Sequence, residues 1–208
     1  MRLSRRKLVA GAAALGAGLA ARPTHLRAAP EQRFDFTKPL EGWQIVTGTW
    51  AIEAMGDAAA GRALVQRATN NTFNVIVAPG GPYDDAEVSV RFKPITGRED
   101  ASGGIVFRFA DNHYYVIRAN ALEDNFNFYY YEGSRHQVAG ASTKAPALGQ
   151  WHRLRIRAEG NRIRGWLNDQ QLIDRRDQRY KSGRIGLWTK ADSITAFDEL
   201  VVVPLGNG

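Results

Sequence analysis

From Phe34 onward apolar and polar residues alternate in short runs, and little of the chain sustains a 3.6-residue period. That is the pattern of strands rather than helices. Residues 87–92 (EVSVRF), 104–109 (GIVFRF) and 152–157 (HRLRIR) alternate, and 114–120 and 126–131 are rich in aromatic and β-branched residues. Turn signals separate the runs. Glu159-Gly160-Asn161 predicts a hairpin between 152–157 and 162–167, Asn168-Asp169 a second tight turn before 170–173, and 80–82 and 97–103 read as loops. The pattern predicts about a dozen strands in one all-β domain over residues 30–208, best housed in a double-sheet sandwich. No Pro/Ser-rich linker or internal repeat divides it.

Alternation also assigns faces, because successive strand side chains point to opposite sides. Ile105, Phe107 and Phe109 make an apolar core face, which puts Val106 and Arg108 opposite. Tyr114, Val116, Arg118 and Asn120 share a face against Tyr115, Ile117 and Ala119. Asn127 and Tyr129 oppose Phe126, Phe128 and Tyr130, and Gly186, Trp188 and Lys190 oppose Ile185 and Leu187. In 152–157, Leu154 and Ile156 turn inward, so Arg153, Arg155 and Arg157 share the outer face, joined across the hairpin by Arg162 and Arg164. Such a face either binds an anionic surface or is a solvated sheet face with acids nearby.

The N-terminal 29 residues follow a different rule. Arg2, Arg5, Arg6 and Lys7 precede a 14-residue apolar run from Leu8 to Ala21, with small residues beyond it. This is the layout of a secretory signal, and S-R-R-K-L at 4–8 resembles the twin-arginine variant. The run is shorter than the roughly 20 residues a spanning helix needs, so the membrane is expected to matter only during export. Cleavage is placed after Ala20 or Ala21, or near Ala28-Ala29, which sends residues 30–208 to the periplasm or beyond. The leader holds six of the 28 basic side chains and none of the 21 acids. The remainder is therefore nearly neutral at +1, which gives nucleic-acid binding no support and favours the solvated reading of the arginine face. With no cysteine, disulfides, thiolate ligands and a cysteine nucleophile are excluded. A chain this long can stabilise itself by packing alone.

The run G-G-I-V-F-R-F at 103–109, N-H-Y-Y-V-I-R-A-N-A-L-E-D-N at 112–125, W-H-R-L at 151–154, G-R-I-G-L-W-T-K-A-D-S at 183–193 and F-D-E-L at 197–200 together resemble exported bacterial proteins of the concanavalin A-like lectin/glucanase superfamily. Within it the chain is most similar to the 3-keto-disaccharide hydrolase-like domain, over about residues 34–203. The resemblance implies a jelly roll of two curved antiparallel sheets and a carbohydrate ligand in the concave face. It does not by itself settle binding or cleavage.

That groove is expected to be lined by Arg108, Tyr114, Arg118, Asn120, Asn127, Tyr129, Trp188 and Lys190, with Glu123 and Asp192 at its ends. Aromatic faces stack on pyranose rings and fixed polar groups read hydroxyls. Glu123 and Asp192 are the carboxylates available for acid–base work, and in 3-keto-glycoside cleavage Arg108, Arg118 or Lys190 would stabilise the enolate. Ion pairs Arg118–Glu123 and Lys190–Asp192 are the purely structural alternative. The Glu-x-Asp-x-(x)-Glu strand of family 16 glucanases is missing, as are a zinc motif, a phosphate loop and a serine elbow. The resemblance further implies a possible structural calcium, for which Asp35 and Asp198 are the candidate ligands, although calcium needs six to eight oxygens. A structural or partner-binding envelope protein is the remaining alternative.

Overall fold

The computed structural model describes residues 30–206; the leader expected at 1–29 lies outside them. Among the described residues there are fifteen strands and no helix. They are β1 (Gln32–Phe34), β2 (Gln44–Thr47), β3 (Trp50–Ala54), β4 (Arg62–Gln66), β5 (Phe73–Val77), β6 (Ala86–Thr96), β7 (Ser102–Ala110) and β8 (His113–Asn120). Then come β9 (Glu123–Glu132), β10 (Ser134–Ser142), β11 (His152–Glu159), β12 (Arg162–Leu167), β13 (Gln170–Arg176), β14 (Arg184–Lys190) and β15 (Ile194–Pro204). The short β1 to β5 raise the count above the expected dozen.

Two antiparallel sheets face each other. One runs β13-β12-β11-β6-β15-β4-β3, with β1 also paired to β15. The other runs β10-β9-β8-β7-β14-β5-β2. Alternation explains what lies between them. Val88, Val90 and Phe92 of β6 and Leu154 and Ile156 of β11 meet Ile105 and Phe107 of β7, Tyr115 and Ile117 of β8, Phe126 and Phe128 of β9, and Leu187 of β14. Each such side chain contributes about 1.5–3 kcal/mol on full burial. At Gly165 of β12 a Cβ would come within 2.9 Å of Ile117 and 3.1 Å of Phe126, so the missing side chain lets the facing sheet close in.

The outer face of the larger sheet carries the five arginines, interleaved with acids. Arg155 and Arg157 pair with Glu87, Arg157 and Arg164 with Glu159, and Arg162 with Asp174. Four of the five arginines are thus paired with three acids on a solvated face, each exposed pair worth little.

Two bulges override simple alternation. In β7 the register to β8 slips between Phe107 and Ala110, and Arg108 takes φ 52°. Phe109 is thereby turned out of the core, stacking on Tyr114 at 5.9 Å. Arg108 is only 3% exposed and bonds to the carbonyls of Asp84, Gly160 and Tyr180. Its expected place in the groove is corrected: it clamps connections at one end of the sandwich. In β15 the register slips between Asp198 and Val201, with Glu199 at φ 48°. Asp198 is fully buried there and accepts hydrogen bonds from the amides of Ala59 and Glu199 and from Arg91. Asp35 accepts from the amide and hydroxyl of Thr37. The calcium expected between Asp35 and Asp198 does not fit this arrangement, because the Asp198 oxygens are committed to N–H donors. Among the described residues no three His, Asp or Glu side chains are gathered to hold a metal ion.

Candidate functional site on the concave face

The smaller sheet curls strongly. In its strand order β5 and β10 are separated by β14, β7, β8 and β9. A flat sheet would hold them roughly 24 Å apart at about 4.8 Å per step. Yet Arg135 of β10 lies 5.5 Å from the ring of Phe73 on β5, and Tyr131 of β9 meets that ring edge-on at 5.7 Å. The curl closes the concave face on its own side chains. Val75, Val77, Val106, Phe109, Tyr114, Val116, Tyr129 and Trp188 pack there as a second apolar cluster. Trp188 is 1% exposed and Tyr114 4%, so the expectation of open stacking platforms at these two is corrected. Phe73 stacks on Trp188 at 5.6 Å and Tyr131 on Tyr114 at 5.0 Å. Phe73 and Tyr131 are the half-buried rings that meet solvent.

Beside this cluster lies a polar network. The register places Trp188, Gly104, Arg118 and Asn127 side by side across β14, β7, β8 and β9. The buried Arg118 guanidinium donates to Glu123 at 2.8 Å, to the Asn125 Oδ1 at 2.6 Å and to the Tyr129 hydroxyl at 3.3 Å. Asn127 donates to the same hydroxyl at 2.9 Å and to Asn125 at 3.1 Å, and Asn125 donates to Glu123 at 3.0 Å. Burial pushes the Glu123 carboxyl up, but the hydrogen bonds from Asn125 and Arg118 outweigh it and hold its pKa below the usual 4.5. Lys190 stands beside the network, where its charge also lowers the Glu123 pKa, and donates to Asp100 at 3.3 Å.

Arg118, Glu123, Asn127 and Tyr129 are thus brought into one hydrogen-bonded network with Lys190 beside it, but Arg118, Asn127 and Tyr129 are buried in it rather than lining an open groove, and Asn120 and Asp192 serve loops. Asn120 is fully buried and its Oδ1 accepts from the amides of Ala101 and Leu122. The Asp192 carboxylate accepts from three successive amides, Arg98, Glu99 and Asp100. Burial pushes its pKa up, but the hydrogen bonds from those amides outweigh it, for a net depression. Lys190 pairs with Asp100 rather than with Asp192.

Sequence reasoning missed Asn125, Tyr131, Phe73 and Arg135. The first two were signalled by the same period-2 row as Asn127 and Tyr129. Arg135 was signalled by Gly133, which turns β9 into β10 and sets Arg135 opposite Tyr131. Phe73 and Tyr131 also wall an open depression of about 360 Å³, with Val46, Thr47, Asn71, Thr72, Val75, Asn112 and Tyr114 as its other lining.

Comparison with known proteins adds to this geometry. Levanase of Bacillus subtilis (strain 168) is 28% identical over 155 residues, which is 73% of this chain but only 21% of that protein. A solved carbohydrate-binding module, CBM66 from Bacillus subtilis, superposes with a TM-score of 0.67 at 24% identity, covering 79% of this chain and 97% of the module. A Bacillus licheniformis β-glucanase superposes at 0.58 with 15% identity, covering 86% of this chain and all of that one. At these identities the two structures show the fold, a concanavalin A-like jelly roll. The sequence profile described as the 3-keto-alpha-glucoside-1,2-lyase-like domain matches residues 31–202. The chain therefore belongs to the 3-keto-alpha-glucoside-1,2-lyase-like domain family.

Proposed function

We propose that this is an exported glycan-binding domain that holds its ligand on the concave face. The observation that carries the reading is the depression walled by the half-buried rings of Phe73 and Tyr131 and edged by Asn71, Thr72 and Asn112. The solvent-reaching parts of these rings suit the C–H faces of a pyranose, and carboxamides and a hydroxyl suit its OH groups. The polar network at Arg118, Glu123, Asn125 and Asn127 adjoins the same aromatic cluster. A binding module and a levanase among the similar proteins point to the same ligand class.

Calorimetric titration against a panel of cell-wall and plant oligosaccharides tests this. Binding is expected, and Tyr131→Ala combined with Asn112→Ala is expected to weaken it by about tenfold or more, from loss of stacking and of one amide contact. Absence of binding across the panel, or indifference to the double substitution, would remove the reading.

Family membership favours lyase action on a 3-keto-glycoside as the second reading. Such an elimination needs a base for the acidified C–H. Glu123 and Asp192 are both held ionised and are both occupied by N–H donors, Glu123 by Arg118 and Asn125 and Asp192 by three backbone amides. A depressed pKa makes each a weak base. Turnover of 3-keto-glucosides that collapses in Glu123→Gln or Asp192→Asn would move the reading to catalysis.

Export rests on the leader at residues 1–29 and its Arg5-Arg6 pair. Replacing both with lysine is expected to leave the protein in the cytoplasmic fraction, because a receptor reads the pair rather than its charge. Unchanged appearance in the periplasmic or culture fraction would count against twin-arginine routing.

A further inference from the structure

We propose that the glycan bound on this face is an acidic one, and that Arg135 receives its carboxylate. This inference rests on the glycan-binding reading and narrows it. Arg135 stands on β10 at the edge of the smaller sheet, and the curl carries its guanidinium over three aromatic rings. It lies 4.4 Å from the centroid of Tyr129, 5.5 Å from Phe73 and 6.0 Å from Trp188. Those rings fix its position and remove water from one side of it. Its Nη1 is shielded from solvent and has no hydrogen-bond partner among the described residues. The residue as a whole is half-buried, so part of the guanidinium still meets solvent.

Its charge sets this residue apart from its cationic neighbours on the concave face. The neighbouring Arg118 is neutralised by Glu123 at 2.8 Å, and Lys190 by Asp100 at 3.3 Å. Among the described residues Arg135 has no carboxylate within ion-pair distance. A cation partly desolvated by ring faces and without a counter-charge attracts an anion more strongly than a solvated surface arginine does. The planar guanidinium fork matches a carboxylate in two parallel hydrogen bonds. Phe73 is shared between the Arg135 cluster and the depression, and Tyr131, its other wall, is the cross-strand partner of Arg135. A sugar stacked on those rings would therefore bring a C5 carboxylate within reach of the arginine. A neutral sugar would leave the charge unmatched.

The experiment uses oligomers of galacturonate, mannuronate, guluronate and glucuronate-bearing xylan, each beside its carboxyl-reduced neutral form. The wild-type domain is titrated with all of them, as are Arg135→Gln and Arg135→Lys. The acidic form of at least one pair is expected to bind about 10- to 100-fold more tightly than its reduced form, the worth of a charge-assisted contact. Arg135→Gln is expected to abolish that difference, and Arg135→Lys to restore only part of it. Raising salt from about 0.05 to about 0.5 M should weaken the acidic ligand alone. Melting curves of the variants check that the fold is kept, and the paired ligands keep the test valid on wild type even if a variant unfolds. Equal binding of acidic and reduced forms, or a preference untouched in Arg135→Gln, overturns the inference and leaves glycan binding standing. No binding to any acidic or neutral member removes the parent reading, and this inference with it.

Discussion

Replacing Arg108 with alanine is expected to destabilise the domain by about 3–5 kcal/mol, the range for breaking a buried charged network by removing one partner. Burial pulls the Arg108 pKa down and Asp85 opposes that pull, so the guanidinium is held charged at the cost of its solvation. It repays that cost by reaching three separate connections. Its Nη2 donates to the carbonyls of Asp84 and Gly160 at 2.8 Å each, and Nη1 to that of Tyr180 at 2.8 Å. Asp85, 3.4 Å from the guanidinium, also accepts from the Gly160 amide at 2.7 Å. Alanine would leave these carbonyls without a donor in a site water reaches poorly, and a void besides. Lysine restores a charge but not the flat fork, so Arg108→Lys is expected to recover less than half of the loss. Against a total stability of some 5–15 kcal/mol, the alanine variant should unfold at a clearly lower urea concentration. A shift worth less than about 1 kcal/mol would show that the clamp is not what joins these loops.

The same residue shows where the sequence stops being legible. Period-2 alternation correctly sorted Ile105 from Val106, Ile117 from Arg118 and Leu187 from Trp188, because hydrophobic patterning is local and each strand carries its own. It failed at Arg108 and Phe109, where one inserted residue reverses the parity. The composition of GIVFRF contains no signal for that bulge; the signal is spatial. Gly183 is part of it, since a Cβ there would stand 2.3 Å from the Arg108 carbonyl carbon. Two distant stretches thus agree on a close approach that neither reveals alone.

Curvature was the other illegible quantity. The sequence put Trp188 and Tyr114 on the concave side, and they are there, but under other side chains. How far a sheet curls depends on bulges and cross-strand packing summed over seven strands, so no single strand reports it. Asn120 and Asp192 were misplaced for a related reason. Short polar side chains at strand ends are more valuable satisfying loop amides than facing a ligand, and their identity does not say which task they perform. What remained readable was the row Asn127, Tyr129 and its partner Arg118, where alternation holds and pairing is in register.

Arg118 is where that row is most exposed to test, and Arg118→Ala is expected to weaken glycan binding by about 10- to 100-fold while leaving a folded domain. The residue is 3% exposed, so it acts as a positioning residue more than as a ligand contact. It orients the Glu123 carboxylate and the Asn125 carboxamide, both of which reach solvent. Losing a fixed orientation of two polar groups costs affinity through side-chain freedom that must be frozen again on binding. The stability loss should be smaller than at Arg108, because Glu123 is 41% exposed at its side chain and water can solvate it. Tyr129 also keeps its bond from Asn127. A titration separates this role from mere packing. In the wild type, burial raises the Glu123 pKa and the bonds from Asn125 and Arg118 carry it below 4.5. Removing Arg118 deletes both its hydrogen bond and its charge and leaves the burial in place, so the carboxyl should titrate at higher pH. The sign for stability follows. A depressed folded-state pKa stabilises above 4.5 and loses that contribution as pH falls through the folded value. The wild type should therefore lose more stability on acidification below that point than Arg118→Ala does. Arg118→Lys should restore the charge effect on Glu123 but not the affinity, since one ammonium does not hold Glu123 and Asn125 in the geometry of the fork. Full affinity in Arg118→Ala with an unshifted Glu123 would sink the positioning role.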